Sequence, residues 1–259
     1  MSIGNYDRNF YDEQMNGSYK SACRIVPIVK ELFEINSVID IGCGVGTFLR
    51  CFKENGVFDI TGIDGDYVPR DKLMIEEERF ISHDLNVLAK VNRRFDLVVS
   101  LEVAEHLYEN KSDSFIDMLC LHGDTILFSA ATPYQGGEHH VNEQWPEYWY
   151  EKFMKRGYRA FDIIRPEIWN DNDVQYWYSQ NCIIYANQNG IMKSKKLQDI
   201  SAATHPKAPA SLVHPKQFIA SASTLKNFNE TLENIARSGK PFRAEISKEG
   251  EILLHFLKN

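Results

Sequence analysis

The sequence predicts an α/β protein built on a doubly wound, mostly parallel sheet of seven strands, with an N-terminal helical lid and a C-terminal extension. Short β-rich runs alternate with helical stretches from residue 37 to about residue 188, as strands and crossover helices do in a parallel sheet. The first five runs are almost continuously apolar, which is typical of strands buried on both faces. A chain of 259 residues is long enough for one such domain with additions.

The predicted elements follow in order along the chain. The strands are SVIDIG (37–42), DITGID (59–64), RFISHDL (79–85), FDLVVSLE (95–102), DTILFSA (124–130), YRAFDII (158–164) and CIIYANQ (182–188). Amphipathic spacing predicts helices over 8–34, 46–55, 103–119 and 146–156. We expect the last two strands to be joined by a loop and to form an antiparallel pair at one edge of the sheet.

We divide the sequence into three parts. These are a helical lid segment over 1–36, a ligand-binding domain over 37–188 and an extension over 189–259. Three prolines between 206 and 215 predict a loop over 189–217, because proline breaks regular elements. A helix near 222–237 and a strand near 251–257 are predicted after this loop.

Composition and charge favour a globular protein that acts on small molecules. The formal net charge is −7 without a long basic run, which argues against a nucleic-acid partner because phosphate groups need a cationic surface. No apolar run approaches the roughly 20 residues that span a bilayer, and the polar first residues do not resemble a signal peptide. Five cysteines without a CxxC pair fit reduced thiols. We therefore expect a cytoplasmic protein without a membrane partner.

The most informative motif is the glycine-rich segment VIDIGCGVGTFL (38–49). It reads as a strand, a turn with Gly42, Gly44 and Gly46, and the start of a helix. Glycines let the backbone turn tightly and approach a ligand, and the helix N-terminus offers free N–H groups. The dinucleotide fingerprint requires a third glycine where this chain has Thr47, and this counts against a nicotinamide-dependent dehydrogenase.

Asp40 followed by the three glycines resembles the first motif of class I S-adenosylmethionine-dependent methyltransferases. In that family the acidic residue lies near the methionine end of the cofactor, and the loop lets the amino-acid part lie against the backbone. The resemblance covers about residues 37–188. It implies a class I methyltransferase fold, S-adenosylmethionine as the cofactor, and binding roles for Asp40, Gly42, Gly44 and Gly46.

Three more strand ends continue this resemblance. Asp64, in GIDGD (62–66), can accept hydrogen bonds from both ribose hydroxyls. Asp84, in ISHDL (81–85), can accept from the adenine amino group, or else cap a helix. The stretch SLEVAEHL (100–107) closes the fourth strand. The predicted cofactor-binding residues at these strand ends are Asp64, Gly65, His83, Asp84, Leu85, Leu101, Glu102 and His106.

Three further segments resemble methyltransferases of bacterial surface-polysaccharide gene clusters. They are FYDEQ…SYKSA (10–22), SAATPYQGGEHHVNEQWPEYW (129–149) and SLVHPKQF (211–218). This resemblance implies a small-molecule acceptor, namely a sugar or a sugar nucleotide. Near the N-terminus, Tyr11 and Tyr19 could fold over the cofactor as part of the lid.

Methyl transfer to an alcohol needs orientation and a base, because most of the driving force lies in the cofactor. The loop after the fifth strand contains GGEHH (136–140) and should face the methyl end of the cofactor. An imidazole, with an ordinary pKa near 6.5, can take up a hydroxyl proton at physiological pH. We predict His140 as the base, with His139 and Glu105 as further catalytic candidates.

Glu102, Glu105 and His106 form a second polar group past the fourth strand. Residues three and four apart share a helix face, so Glu102 and His106 could converge. A similar ExxEH stretch in quinone-ring methyltransferases is associated with a divalent cation, which would lower the pKa of the acceptor hydroxyl. The alternative is a structural role for the three side chains, and our interpretation assigns no metal.

Three interpretations of the function remain open. The first is an O-methyltransferase acting on a sugar or sugar nucleotide. The second is an O-methyltransferase acting on an aromatic or quinone-type ring, which the ExxEH stretch and the aromatic segments favour; Trp169 is the candidate for a substrate wall in either case. The third is a cofactor-binding module without turnover. The oligomeric state is left open.

Overall fold

The computed structural model describes residues 8–237, 242–246 and 252–256, with side chains from residue 16 to 227 and at a few later positions. The chain forms two compact units that divide between His214 and Pro215. Residues 189–214 are part of the first unit, and the three-part division of the sequence stays a prediction. Among the described residues, no helix combines the length and the apolar character needed to cross a membrane.

The bounds of the described elements follow the predicted alternation. The helices of the first unit are α1 (Arg8–Leu32), α2 (Thr47–Glu54), α3 (Ser112–His122), α4 (Pro146–Met154), α5 (Arg165–Ile168), α6 (Tyr176–Asn181), α7 (Gln188–Met192) and α8 (Lys195–Ala203). Its strands are β1 (Ser37–Ile41), β2 (Asp59–Asp64), β3 (Phe80–Ser82), β4 (Leu97–Leu101), β5 (Thr125–Ser129), β6 (Arg159–Phe161) and β7 (Ile183–Ala186). The second unit contains α9 (Pro215–Arg237), β8 (Phe242–Ile246) and β9 (Ile252–Phe256).

The seven strands β1 to β7 form one sheet in the order β3-β2-β1-β4-β5-β7-β6. Strands β1 to β5 are parallel, and β7 is antiparallel to both β5 and β6. This confirms the predicted mostly parallel, seven-stranded sheet and its antiparallel pair at one edge. The direction of winding reverses between β1 and β4, and ligands of such sheets bind in the crevice outside the carboxyl ends of the strands there.

Helices cover both faces of the sheet, which explains why the strands are apolar throughout. Val38 and Leu97 pack in one core with residues of α1 and α2. Ile39 and Val98, one position further along, pack in a second core with residues of α3 and α4. The alternation follows from the two-residue period of a strand. Because each such side chain stabilises the fold by about 1.5–3 kcal/mol when buried, both layers hold the strand ends firmly in place.

The predicted helix over 103–119 is wrong in its first half. Helix α3 begins only at Ser112, and the residues before it form short 3-10 turns. Glu102 has a left-handed backbone with φ 55°, and Tyr108 is extended with ψ 147°, so neither continues a helix. Glu102 and His106 therefore do not share a helix face.

Two predicted loops contain helices. Strands β6 and β7 are joined by α5 and α6, and α5 has Pro166 in its first turn, where proline favours a helix start. Within 189–217, much of the chain is helical because Asn187 and Ser194 cap α7 and α8. Each capping side chain accepts a hydrogen bond from a backbone N–H of the first turn.

The second unit consists of α9 and an antiparallel β8–β9 hairpin. The helix near 222–237 and the strand near 251–257 are confirmed. Helix α9 begins earlier than predicted, at Pro215, because proline suits the first turn of a helix. Strand β8 was missed by the sequence analysis.

Candidate active site

A cavity of about 860 Å³ opens at the carboxyl ends of the central strands. Its walls come from the loops that follow β1 to β5, together with residues of α1, of the start of α2, and of the start of α6 with Gln175 before it. This is the crevice where the reversal of winding predicts a ligand. Its volume lies within the range of about 300–1,000 Å³ that is usual for small-molecule sites.

The glycine loop after β1 contributes Gly42 and Gly44 to the wall. A side chain at Gly42, where φ is 90°, would overlap Val103, so the loops after β1 and β4 touch at this point. At Gly44 an added Cβ would have no atom within 4 Å, which leaves open space for a ligand to approach the backbone. Gly46 lies at the N-cap of α2 against Ile75 and does not line the cavity.

The carboxylate of Asp64, at the end of β2, joins two of these loops. Its Oδ2 accepts the backbone N–H of Gly44 at 2.6 Å. Its Oδ1 accepts the N–H of Gly65 at 2.7 Å and the hydroxyl of Tyr67 at 2.6 Å. Burial raises the pKa of Asp64, and these three hydrogen bonds oppose the rise. The group that faces the cavity thus also holds the glycine loop.

Asp40 lies beside Asp64 and is only 4% exposed. Burial and the negative charge of Asp64 raise the pKa of Asp40 well above its usual range. A carboxyl group with a raised pKa binds more protons in the folded than in the unfolded chain. Stability therefore falls as the pH rises from the ordinary pKa of Asp toward the folded value.

Replacing Asp40 by Asn is expected to raise the melting temperature of the unliganded protein at about pH 8, since the amide has no charge to bury. A gain of about 1 kcal/mol corresponds to about 2–4 °C for a domain of this size. The difference should shrink as the pH falls toward about pH 3, below the ordinary pKa of Asp, where Asp40 is protonated in both states. Calorimetric scans measure it, and Asp84→Asn, which changes an exposed carboxylate, is the control. A lower melting temperature for Asp40→Asn at alkaline pH would contradict the buried-charge argument.

The loop after β3 contributes His83, Asp84 and Leu85 to the cavity wall. The Asp84 carboxylate is exposed and accepts the backbone and side-chain N–H groups of Asn86, both at 2.9 Å, which lowers the pKa of Asp84. This is a local turn and not a helix cap. The Nε2 atom of His83 lies 2.9 Å from the carbonyl oxygen of Val87.

Helix α1 reaches the cavity through Gly17 and Ser18. Two contacts hold it there. The hydroxyl oxygens of Ser18 and Tyr178 are 3.2 Å apart, and the Ser21 hydroxyl oxygen accepts the N–H of Gln175 at 3.0 Å. Helix α1 and the start of α6 therefore form one wall, which the sequence did not predict.

Three aromatic residues predicted near a ligand are placed differently. Tyr19 donates its hydroxyl to Glu54 and does not line the cavity. Trp169 does not line it either, because its ring packs against His214 with centroids 4.8 Å apart. The side chain of Tyr11 lies outside the described residues. The aromatic residues on the wall are instead Phe48, Tyr67, Tyr176, Trp177 and Tyr178.

Glu102 follows β4 in a left-handed conformation, which costs a residue other than glycine about 1–3 kcal/mol and tends to occur at functional sites. Its carboxylate accepts side-chain N–H groups from Gln135 at 2.7 Å and from Asn181 at 3.1 Å. Burial raises the pKa of Glu102, and hydrogen bonds from Ser129 and from these two amides oppose the rise. The strained backbone thus directs Glu102 into a polar network.

Glu105 is fully buried, and neither of its carboxyl oxygens has a hydrogen-bond partner among the described residues. Burial and the negative charge of Glu102 raise the pKa of Glu105 well above its usual range. Its backbone carbonyl accepts the N–H groups of Val141 at 2.9 Å and Asn142 at 3.0 Å, which ties it to the loop after β5. A buried polar group without a partner is costly, so its position at the cavity requires an explanation.

The loop after β5 brings His139 and His140 to the cavity. The Nδ1 atom of His140 lies 2.9 Å from a carboxylate oxygen of Glu143, and the rings of His140 and His106 meet edge to face, 4.8 Å apart. Desolvation by the surrounding wall and the neighbouring His140 lower the pKa of His106 to about 4. His106 is therefore neutral at physiological pH. His139 is exposed, with a left-handed φ of 58°.

Glu105, His106 and His140 could hold a cation. One ligand atom from each lies within 4.8 Å of the others. A carboxylate with two imidazoles is a suitable donor set for several divalent metals, and the unpartnered oxygens of Glu105 fit this use. Glu102 is not part of this group: two amides hold its carboxylate, and the ring that meets His106 is that of His140.

The structure brings most of the predicted site residues to one cavity. Those on its wall are Asp40, Gly42, Gly44, Asp64, Gly65, His83, Asp84, Leu85, Leu101, Glu102, Glu105, His106, His139 and His140. Gly46 is not on the wall, and the side chain of Tyr11 lies outside the described residues. Gln135 on the wall and Asn181 behind it were not predicted, because nothing in the sequence near either amide marks it as a partner of Glu102.

Comparisons with known proteins agree with this fold. A family described as a methyltransferase domain matches residues 11–163. No curated protein matches the chain. The methyltransferase domain of bacterial CtHen1-C is a similar solved structure, with 22% sequence identity and a TM-score of 0.50 over 66% of this chain and 99% of that one.

Two other similar structures come from named organisms. Magnesium protoporphyrin IX methyltransferase (ChlM) from Synechocystis PCC 6803, solved with bound S-adenosylmethionine, has 14% identity and a TM-score of 0.51, over 72% of this chain and 87% of its own. Streptomyces venezuelae DesVI has 13% identity and a TM-score of 0.53, over 71% of this chain and 100% of its own. At these identities, each likeness concerns the fold.

Proposed function

We propose, since this chain belongs to the methyltransferase domain family, that it transfers the methyl group of S-adenosylmethionine to an oxygen atom of a small polar acceptor. The chain is an S-adenosylmethionine-dependent methyltransferase with the class I fold. The acceptor, the methylated atom and the roles of the residues are the proposal. It rests on one observation: a single cavity joins the glycine loop to the side chains of Glu105 and His140.

We assign the cofactor to the side of the cavity formed by the ends of β1, β2, β3 and β4. Asp40 and the glycine loop would hold the methionine part, Asp64 the ribose, and Asp84 the adenine amino group. The open space at Gly44 supports this assignment. When bound, S-adenosylmethionine supplies an electrophilic methyl group on a sulfonium sulfur. The other residues assigned to this side are Gly65, His83, Leu85, Leu101, Glu102 and His106.

Replacing Asp64 by Ala is expected to weaken S-adenosylmethionine binding at least about tenfold, which is about 1.4 kcal/mol. A hydrogen bond to a charged group contributes about 1.5–3 kcal/mol, and the substitution also releases the glycine loop at Gly44. Titration calorimetry measures the affinity, and circular dichroism checks the fold.

Tyr67→Phe is the matched control for Asp64→Ala. It removes one hydrogen bond to the carboxylate and keeps the carboxylate itself. In this variant the ribose hydroxyls no longer compete with the Tyr67 hydroxyl for the Asp64 carboxylate. The affinity for S-adenosylmethionine should therefore be equal or higher. Unchanged affinity in Asp64→Ala would move the ribose away from the end of β2.

His140 is the proposed base. It takes the hydroxyl proton as the acceptor oxygen bonds to the methyl carbon and the carbon–sulfur bond breaks, leaving its electron pair on sulfur. A general base of this kind contributes about 10²–10⁴-fold. Burial and the negative charge of Glu102 raise the pKa of Glu105 and favour its protonated form, so Glu105 is better suited to donate a hydrogen bond to the acceptor than to remove its proton. His139 is the alternative base.

The acceptor we propose is a sugar or sugar nucleotide, as in the synthesis of a bacterial surface polysaccharide. The resemblance carried by residues 10–22, 129–149 and 211–218 supports this class. The cavity adds support, because it pairs hydrogen-bonding groups with the aromatic rings of Tyr176 and Trp177. Aromatic rings stack on the apolar faces of sugars, and hydroxyl groups need polar partners when they are buried.

The acceptor can be found by mass spectrometry. The full chain is incubated with S-adenosylmethionine that carries a deuterated methyl group and with a panel of sugars, sugar nucleotides and oligosaccharides; catechols and quinols are included for comparison. We expect the labelled methyl group on a sugar oxygen. Transfer to the aromatic compounds alone would favour the second interpretation. Cofactor binding without transfer to any compound or cell extract would favour a module without turnover.

A second candidate is metal-assisted O-methylation, which the unpartnered carboxyl oxygens of Glu105 favour. A cation held by Glu105, His106 and His140 would keep Glu105 ionised and lower the pKa of the acceptor hydroxyl. The metal-free proposal predicts that turnover survives dialysis against EDTA. The second candidate would be established if EDTA abolished turnover and Mg²⁺ or Mn²⁺ restored it in the wild type but not in Glu105→Gln.

A further inference from the structure

Glu143 stands behind the cavity wall and organises the loop that carries His140. Its carboxylate accepts the backbone N–H groups of Tyr134 at 2.7 Å and Gly136 at 2.8 Å. The oxygen that accepts from Gly136 also lies 2.9 Å from Nδ1 of His140. Glu143 is not among the described residues that line the cavity. It can therefore act on a bound acceptor only through the groups that it holds.

The loop needs such an anchor because its backbone is strained. Tyr134 and His139 have left-handed φ values of 66° and 58°, which are strained for residues other than glycine, and Gly136 and Gly137 have φ values of 73° and 155°, which glycine adopts readily. Conformations of this kind persist only where the surroundings fix them. Two of these four residues donate their N–H groups to Glu143, so its carboxylate fixes the path of the chain into His140.

The same carboxylate selects the tautomer of His140. Both of its oxygens accept a backbone N–H group, one from Gly136 and the other from Tyr134, so the oxygen that faces Nδ1 of His140 acts as an acceptor. An ionised carboxylate accepts hydrogen bonds and cannot donate one. A neutral His140 therefore carries its proton on Nδ1, and Nε2 keeps the lone pair.

Gly137 fixes the other side of the ring. A Cβ at this position would overlap the Nε2 atom of His140. Only glycine lets the imidazole lie where it does, and the ring is held between the carboxylate of Glu143 and the bare backbone of Gly137. Glu143 and Gly137 therefore both hold His140, the side chain that the proposed reaction uses as its base.

We propose that Glu143 is a positioning residue for His140 and that Gly137 leaves the space that the His140 ring needs. Together they fix the His140 imidazole as the Nδ1–H tautomer and present Nε2 to the acceptor hydroxyl. The role of Nε2 rests on the proposed function. The tautomer does not, because it is a property of the chain without any acceptor.

The tautomer can be read by NMR on the full chain labelled with ¹⁵N-histidine. Comparison with His140→Ala assigns the ring signals. We expect a protonated Nδ1 and an unprotonated Nε2 in the wild type. Glu143→Gln, whose amide can also donate to the ring, should shift the population toward the Nε2–H form. Glu143→Asp keeps the charge and serves as a second variant if Glu143→Gln does not fold.

Kinetics on any acceptor found by the mass-spectrometric screen give the second readout. Glu143→Gln should lower kcat by about 10²–10⁴-fold, the usual contribution of a general base, with S-adenosylmethionine affinity within about twofold of the wild type. In a His140→Ala background the same substitution should have no further effect on kcat. Gly137→Ala should behave like Glu143→Gln. Gly136 also has a positive φ, but an added Cβ there would have no atom within 4 Å. Gly136→Ala should therefore lower kcat much less than Gly137→Ala does.

The proposal is overturned by a wild-type His140 protonated on Nε2. It is also overturned if Glu143→Gln leaves the tautomer and kcat unchanged, or lowers kcat further when His140 is absent. If no acceptor is ever methylated, the proposed function fails while the NMR result still decides the tautomer, so the two failures are distinguishable.

Discussion

Replacing His140 by Ala is expected to lower kcat by about 10²–10⁴-fold and to leave S-adenosylmethionine affinity within about twofold of the wild type. The imidazole lines the cavity beside Glu105 and His106, whereas the residues assigned to the cofactor lie mostly at the ends of β1 to β3. Removing the ring takes away the proton acceptor and leaves the glycine loop untouched. Single-turnover kinetics for the rate and calorimetry for the affinity separate the two effects.

His139→Ala is the matched control, because it removes an imidazole from the adjacent, exposed position. We expect a loss of much less than tenfold in kcat. If the larger loss follows His139→Ala instead, His139 is the base and the assignment of His140 is wrong. If His140→Ala weakens cofactor binding as strongly as it lowers kcat, His140 is a structural part of the pocket.

The sheet could be predicted from the sequence because its strands are buried on both faces. Runs such as SVIDIG and FDLVVSLE are mostly apolar, and the seven predicted runs correspond to the seven observed strands. The prediction was wrong where the helices are short. Helices α7 and α8 carry the sequence signals Asn187 and Ser194 at their N-caps, but the nearby prolines led us to predict a loop.

The cofactor side of the site could be predicted because each of its groups stands at the end of a predicted strand. The surroundings of Glu102 could not, because they depend on residues 33 and 79 positions away. Its left-handed backbone also invalidated the helix geometry on which we had based its convergence with His106. Glu143 is only three residues from His140, yet its role depends on a strained loop that no periodic pattern reveals.

Gly42→Ala is expected to destabilise the protein by about 2–5 kcal/mol, the sum of two costs. A left-handed backbone costs residues other than glycine about 1–2 kcal/mol, and forcing a methyl group into a packed site costs about 1–3 kcal/mol. Both apply here, because φ is 90° and the new Cβ would overlap Val103. This is a large fraction of the roughly 5–15 kcal/mol that holds a typical domain folded. Urea unfolding measures the loss.

Gly56→Ala separates these two costs. Gly56 has nearly the same backbone, with φ 88°, but an added Cβ there would have no atom within 4 Å. Gly56→Ala should therefore lower the free energy of unfolding only by the cost of the left-handed backbone, about 1–2 kcal/mol, and bind S-adenosylmethionine normally. Gly42→Ala should lose more stability and, because Val103 must move against the glycine loop, bind the cofactor at least about tenfold more weakly. Equal losses in the two variants would mean that the loops after β1 and β4 separate without cost, and that their contact does not shape the cofactor site.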